Sequence, residues 1–329
     1  MMHKTLIAVD IPSLRQLLFS DEVLNDLHSF TEVHWLDHQP LEDVIGDYDA
    51  CITSWGSERF TPAVLSNAKK LRFIGHAAGT IVPFVDPSIY DCPITIVNAN
   101  RPLSLATAEG AVAMMMHGAW DLHTYHAGLK NGIWSENNEQ FTMGLYKQSI
   151  GLIGYGDISR EVIRLLAPYE ANILLCSSYC SPDEADALGV TLCSLEELLQ
   201  RSRIVSLHNT LTASTRGLIG QAELAMMQDG SLLINTARGP IVDEEALIAG
   251  LANGRLKAVL DVFNTEPLPA DHPLQQLPNA CCLPHIAGFQ GYWKRNLASY
   301  VARQLHRFVQ GLPFEGQVCR DKFNRLSPK

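Results

Sequence analysis

"SIGLIGYGDIS", residues 149–159, is the stretch on which the reading of this chain turns. "SIGLI" has the apolar run of a buried strand, and the residues beyond the turn read as the start of a helix. Between them lies Gly154-Tyr155-Gly156-Asp157-Ile158-Ser159, a Gly-x-Gly-x-x-Ser turn. Gly154 permits a tight turn, and Gly156 lets the backbone approach a pyrophosphate seated on the helix N-terminus. Tyr155, Asp157 and Ile158 join the two glycines as candidate cofactor contacts. Ser159 takes the place of the usual third glycine, so strand and helix are expected to pack slightly further apart. A purely structural glycine turn is the competing reading. The strand–turn–helix context favours a dinucleotide site.

Working outward, strand-like runs alternate with helical patterns on both sides of this turn. Downstream, "NILLC" (172–176), "RIVSL" (203–207), "SLLIN" (231–235), "AVLDV" (258–262) and "NACCLP" (279–284) bring the count to six with 149–154. Upstream, "TLIAV" (5–9), "TEVHWL" (31–36), "YDACITSW" (48–55), "LRFIG" (71–75) and "ITIVN" (94–98) make five more, with helical candidates at 12–28 and 61–69. Ser194-Leu-Glu-Glu197 reads as a capping box, and Gly254 as the left-handed stop of a helix beginning near Asp243. A long apolar helix is expected over about 104–130, with a polar break at "NGIWSENNEQ" (131–140), and an amphipathic stretch over about 292–310. Such alternation predicts an α/β protein with two doubly wound parallel-sheet domains. The expected division is a Rossmann nucleotide domain at 104–292, inserted in a flavodoxin-like substrate domain built from 1–103 and 293–329.

Composition agrees with a folded protein that has a large core. The chain has 329 residues, enough for about two domains of ~150 residues, and is 47% hydrophobic but only 18% charged. Its formal net charge of −10, with no run of Lys or Arg longer than two, argues against nucleic acid or an anionic membrane as a partner. No apolar stretch approaches the ~18 residues of a membrane span. The opening "MMHKTLIAVD" lacks the pattern of a secretory signal, so a cytoplasmic protein is expected. Eight cysteines form no Cys-x-x-Cys pair and read as free thiols.

In a parallel sheet the C-terminal ends of all strands share one edge, where ligands bind. Arg238 in "NTARGP", Glu266 in "FNTEPLP" and His285 in "PHIAG" each follow a strand, and so converge there with the glycine turn and His208. A guanidinium can hold a carboxylate in a fork and polarise an adjacent carbonyl. An imidazole can give a proton to a developing alkoxide, and a carboxylate beside it fixes its tautomer and favours the protonated ring. Singly, each residue also has a plain structural reading: a solvated turn histidine, a surface acid, an ion-pair arginine. Their joint placement next to a nicotinamide points to carbonyl reduction.

With these residues in view, the chain resembles the D-isomer-specific 2-hydroxyacid dehydrogenases over nearly its whole length. The motifs are "GLIGYGDISREV", "RIVSLHNTLTASTRGLIG", "LLINTARGPIVDEEAL", "LDVFNTEPLPADHPLQQLPN" and "PHIAG". The resemblance implies a catalytic set of Arg238, Glu266 and His285. It implies that Asp261 and the backbone near Thr236 and Ala237 hold the nicotinamide carboxamide, that His208 and Thr210 lie along the cofactor, and that Gly288 belongs to the same site. It also implies that "GHAAGT" (75–80) binds the carboxylate of a 2-oxo acid through backbone N–H groups, Ala77, Ala78 and Gly79 being small enough for close approach. Arg101 and Trp55 are further candidates there. A homodimer is implied as well.

Three points qualify the resemblance. Where NAD-type members carry an acid for the adenosine ribose, this chain has Ser177, followed by no nearby cation, so NAD and NADP both remain open with a lean to NAD. The same fold and triad also serve in a dinucleotide-sensing corepressor, a binding protein and not an enzyme. A formate dehydrogenase of this fold needs glutamine where the chain has Glu266. Finally, His123 and His126 stand three apart on a helix, but with no cysteine or carboxylate ligand indicated, a solvated face is preferred to a metal site.

Overall fold

The computed structural model describes residues 3–134 and 142–326, so most of the polar stretch 131–140 lies outside the described residues. Contacts divide the chain into two compact units: Met1–Leu103 with Gly291–Lys329, and Ser104–Gln290.

The first unit holds five parallel strands, β1 (His3–Ala8), β2 (Thr31–Trp35), β3 (Ala50–Thr53), β4 (Phe73–His76) and β5 (Thr95–Asn98), in the order β2-β1-β3-β4-β5. This is the flavodoxin-like order. The helix expected over 12–28 is two, Pro12–Leu18 and Asp21–His28, because the Ser20 hydroxyl accepts the Val23 N–H and caps a fresh start. The stretch 292–310 is likewise two helices, Gly291–Arg295 and Leu297–Val309. The longer one buries Leu297, Val301 and Leu305 in the apolar cluster that also takes Ile7, Ile52 and Phe73. Gly75 makes that packing possible, since a Cβ there would lie 2.2 Å from the Val301 side chain.

The second unit holds β6 (Ser149–Ile153), β7 (Asn172–Cys176), β8 (Thr191–Leu192), β9 (Ile204–Leu207), β10 (Leu232–Asn235), β11 (Lys257–Leu260) and β12 (Ala280–Cys282). All run parallel, in the order β12-β11-β10-β9-β6-β7-β8. The sequence anticipates six of these strands; β8, two residues at a sheet edge, is too short to leave a period. Strands β9 and β10 are buried throughout, as expected of a parallel sheet covered on both faces. Ile150 and Leu152 enter one apolar cluster while Ile153 and Leu174 enter the other.

Two further expectations are corrected here. The helix expected over 104–130 is Asn100–Ala119 and Leu122–Lys130, broken where Asp121 turns left-handed at φ 53°. Ser194 does cap the Glu197 N–H at 3.1 Å, but the Glu197 carboxylate pairs with Arg201, so the capping box is one-sided. Asp243 caps the helix Glu244–Ala252, and Gly254 stops it at φ 75°. Among the described residues no helix is long and apolar enough to cross a membrane.

Candidate active site

Register builds the site before any side chain does. Ile153 stands opposite Cys176 and Leu207, Leu207 opposite Asn235, Asn235 opposite Leu260, and Leu260 opposite Cys282. The next residues along each strand, Gly154, Ser177, His208, Thr236, Asp261 and Leu283, therefore line one edge of the sheet. The chain winds from β6 out to β8 and returns at β9, and that reversal is where doubly wound sheets open a crevice for a ligand.

The glycine turn sits at this reversal. Gly154 has φ 99°, and a Cβ on it would come within 2.5 Å of the Asn209 nitrogen, so both its conformation and its neighbour exclude a side chain. A Cβ on Gly156 would meet nothing within 4 Å, which leaves open space at the N-terminus of the helix Asp157–Leu166. First-turn N–H groups of a helix have no partner inside it, so those of Asp157 and Ile158 are free to meet an anion. Ser159 is fully buried, and its hydroxyl accepts the Gly156 N–H at 2.8 Å. It therefore tightens the turn. Tyr155 lies under the Arg160 guanidinium at 4.3 Å.

Arg238, Glu266 and His285 meet on the same edge. His285 Nδ1 lies 2.8 Å from Glu266 Oε2, while Glu266 Oε1 accepts the Phe263 N–H at 3.1 Å. His285 is exposed and held in a left-handed backbone conformation, φ 55°. The Arg238 guanidinium donates to its neighbour's carbonyl, Ala237 O, at 2.7 Å. Burial pushes the Arg238 pKa down, and the Glu266 carboxylate opposes that shift. The two loops can lie together because Gly239 has no side chain: a Cβ there would fall 2.1 Å from the Phe263 carbonyl carbon.

Of the residues that support this arrangement, Asn235 and Gly110 escaped sequence reasoning, whereas Asp261 and Gly288 were anticipated. Asn235 receives the Ala237 N–H and donates to Arg238 O, both at 3.0 Å, which fixes the arginine loop. Asp261 is fully buried, and its carboxylate accepts the N–H groups of Ile286 (2.7 Å) and Ala287 (2.8 Å), anchoring the histidine loop. Desolvation raises the Asp261 pKa, with those two bonds pulling the other way. Gly110 lets the same loop rest on a helix, since a Cβ there would lie 2.4 Å from Ala287 O. Gly288 follows, with the Thr107 hydroxyl 3.3 Å from where its Cβ would be.

Buried polar atoms without partners among the described residues mark what this edge is built to receive. They are His208 Nε2, both side-chain polar atoms of Asn209, and Thr236 Oγ1. Natural structures rarely leave such groups unpaired without a ligand to meet them. Burial also pushes the His208 pKa down to about 4, so its ring is neutral at physiological pH. Donors, acceptors and the open space over Gly156 fit a dinucleotide. Thr210, beyond His208, is tied by its carbonyl to the Thr215 hydroxyl at 2.6 Å.

A family model described as the NAD binding domain of D-isomer specific 2-hydroxyacid dehydrogenase matches residues 112–287. This chain belongs to the D-isomer-specific 2-hydroxyacid dehydrogenase family. It is 30% identical over 315 residues to a D-3-phosphoglycerate dehydrogenase of Methanocaldococcus jannaschii, covering 93% of this chain and 59% of that one. It is 31% identical to a glyoxylate reductase of Korarchaeum cryptofilum, covering 84% and 86%. The chain thus spans about half to six-tenths of the phosphoglycerate dehydrogenases it matches. The fold is shared with Rhodotorula graminis D-mandelate dehydrogenase at TM-score 0.83 and 22% identity, covering 96% of this chain and 97% of that one. A phosphoglycerate oxidoreductase from Rhizobium etli gives TM-score 0.84 and 22% identity, covering 97% and 99%.

Ser177, the residue that follows β7, carries no charge. Ser177 accepts the Tyr179 N–H at 3.1 Å, and Glu184 and Arg160 are paired with each other at 3.1 Å. In the first unit, Ala77 and Ala78 are fully buried after β4. The Ala77 N–H is taken by Thr53 O at 2.7 Å, so Ala78 and Gly79 are the residues of that loop able to offer N–H groups to an anion. Trp55 lies under Lys294 Nζ at 5.2 Å, a cation that sequence reasoning passed over, and Arg101 is exposed. His123 and His126 do not act as a pair: His126 is exposed, while His123 is stacked against His117.

Proposed function

We propose that this chain interconverts a 2-oxo acid and a D-2-hydroxy acid with NAD(H) or NADP(H), working as a reductase. The contact between His285 Nδ1 and Glu266 Oε2 at the cofactor edge carries the reading. A reduced nicotinamide supplies the hydride when bound. The chain's own part is to orient and to move a proton. Glu266 accepts from Nδ1–H, which fixes the tautomer and leaves Nε2 as the atom that delivers a proton to the new hydroxyl oxygen. Arg238, kept cationic and partly dehydrated, holds the substrate carboxylate and polarises the carbonyl, where a fixed charge acts strongly.

Gly154, Tyr155, Gly156, Asp157 and Ile158 would hold the pyrophosphate, Ser177 the ribose, and His208, Thr210, Thr236, Ala237, Asp261 and Gly288 the remainder of the cofactor. Residues 104–292 then serve as the nucleotide domain, and the two flanking segments as the substrate domain, with Ala78 and Gly79 assigned to the carboxylate. Exposed Trp120, Leu122, Tyr125, Leu129, Ile133 and Trp134 support a homodimer through this region, because so contiguous an apolar run is seldom left to water. Eight cysteines with no disulfide support a reducing, cytoplasmic setting.

A panel of 2-oxo acids (glyoxylate, hydroxypyruvate, pyruvate and larger branched or aromatic ones) assayed with NADH and with NADPH tests the proposal. Turnover of at least one member, lost in His285→Ala, is the expected result. Tight dinucleotide binding without turnover, together with capture of a partner only when dinucleotide is present, would instead make the chain a dinucleotide-sensing binding protein.

A further inference from the structure

The corner between the helices Asn100–Ala119 and Leu122–Lys130 gathers side chains that the proposed reaction does not use. Asp121, left-handed at φ 53°, turns the chain so that His117 and His123 face each other. Their rings stack with centroids 5.2 Å apart and 21° between the planes. Cys281 of β12 lies against them, and one potential ligand atom from each of the three falls within 4.8 Å of the other two. His117 Nε2 and His123 Nδ1 are buried, and neither has a hydrogen-bond partner among the described residues.

The surroundings prepare these atoms for a cation. His123 Nε2 is 3.2 Å from Pro278 O, so the proton belongs on Nε2 and the lone pair on Nδ1. A ring held by a backbone carbonyl on its far nitrogen is the usual arrangement of a metal-binding histidine. The Asp121 carboxylate stands beside it, Oδ1 at 3.7 Å from His123 Nδ1, while Oδ2 accepts from Lys257 Nζ at 2.6 Å. Two lone pairs therefore face each other with no proton between them.

We propose that His117, His123 and Cys281 bind a zinc-class divalent cation, with Asp121 as the fourth ligand. Two imidazoles, a thiolate and a carboxylate suit zinc better than the hard cations, which prefer oxygen throughout. Zinc bonds of ~2.0–2.1 Å to nitrogen and ~2.3 Å to sulfur place tetrahedral donors roughly 3.3–3.7 Å apart, so the three side chains close by about 1 Å on binding. With all four positions filled by protein, the ion ties the helix corner to the edge strand of the sheet and is structural. Successive residues of a strand face opposite ways. Cys281 packs on one apolar cluster and Cys282 on the other, so Cys282 points away from the site.

The test uses the full chain, stripped by chelator and titrated with Zn(II) against a chromophoric competitor, and separately with Co(II). The expected result is one equivalent per chain, a cobalt spectrum with a thiolate charge-transfer band and intense tetrahedral bands, and a higher unfolding temperature with zinc. Cys281→Ser should abolish the charge-transfer band and weaken zinc binding at least about 10-fold, the low end of what losing even a partner of a ligand costs. Cys282→Ser and His126→Ala should match wild type. The wild-type cobalt spectrum decides the matter even if a variant fails to fold. Absence of stoichiometric zinc binding, a cobalt complex without a thiolate band, or a Cys281→Ser protein that retains both would overturn the proposal. Dinucleotide binding and turnover are read separately, so either idea can fail alone.

Discussion

Acid should destabilise this protein in part through one residue of the cofactor edge, His208. Burial of its ring pushes the pKa to about 4, against ~6.5 for an exposed histidine. Above pH ~6.5 the ring is neutral in both the folded and the unfolded chain, so it adds no pH dependence there. Between pH ~6.5 and 4 only the unfolded chain takes up the proton, and stability falls as pH falls. Below about 4 both states bind it and the loss stops growing. The gap between about 4 and ~6.5, at ~1.36 kcal/mol for each tenfold change in proton affinity, corresponds to about 3 kcal/mol. Part of the residue reaches solvent although Nε2 does not, which trims the expectation to about 2 kcal/mol. His208→Gln removes the titration while keeping a polar side chain of similar reach. Urea unfolding of both proteins, followed by fluorescence and circular dichroism from pH 8 to pH 4, gives the test. Other titrating groups cancel in the difference, so the wild-type advantage or deficit at pH 8 should move by about 2 kcal/mol against wild type at pH 4. Parallel stability curves for the two proteins would refute the reasoning.

Other expectations concern the proposed chemistry. His285→Ala should cut 2-oxo acid reduction by about 10²–10⁴-fold with dinucleotide affinity nearly unchanged, measured by steady-state kinetics and cofactor fluorescence titration; Glu266→Gln should do less harm, since an amide can still accept from Nδ1–H. Arg238→Lys should recover little of the roughly 10²–10³-fold loss expected for Arg238→Ala, because an ammonium cannot reproduce the fork, and full activity in the lysine variant would disprove the assigned pose. Wild type should discriminate NADH from NADPH by less than about 10²-fold in kcat/KM, and Ser177→Asp should shift preference to NADH by charge repulsion against a 2′-phosphate. A wild type strict for one cofactor would move that choice to another residue.

Most of the architecture was legible in the sequence, because strand periods, the Gly154–Ser159 turn and the three strand-end motifs are local patterns. The failures are local too. A two-residue strand such as Thr191–Leu192 has no period to read. The breaks at Phe19–Ser20 and Asp121 depend on a cap and a left-handed residue inside otherwise continuous helical patterns.

What the sequence determined by itself is the order of the strands and the position of Arg238, Glu266 and His285 after strands whose ends share an edge. What only the tertiary structure decided is which atoms meet: Nδ1 of His285 with Glu266, the Asp261 carboxylate with the backbone of the histidine loop, and His123 with His117 and Cys281 instead of with His126. The physical reason is that periodicity fixes a residue's face and strand end, whereas contacts between separate segments of the chain are set by sheet register and by the side chains that glycines at 110, 154 and 239 leave out.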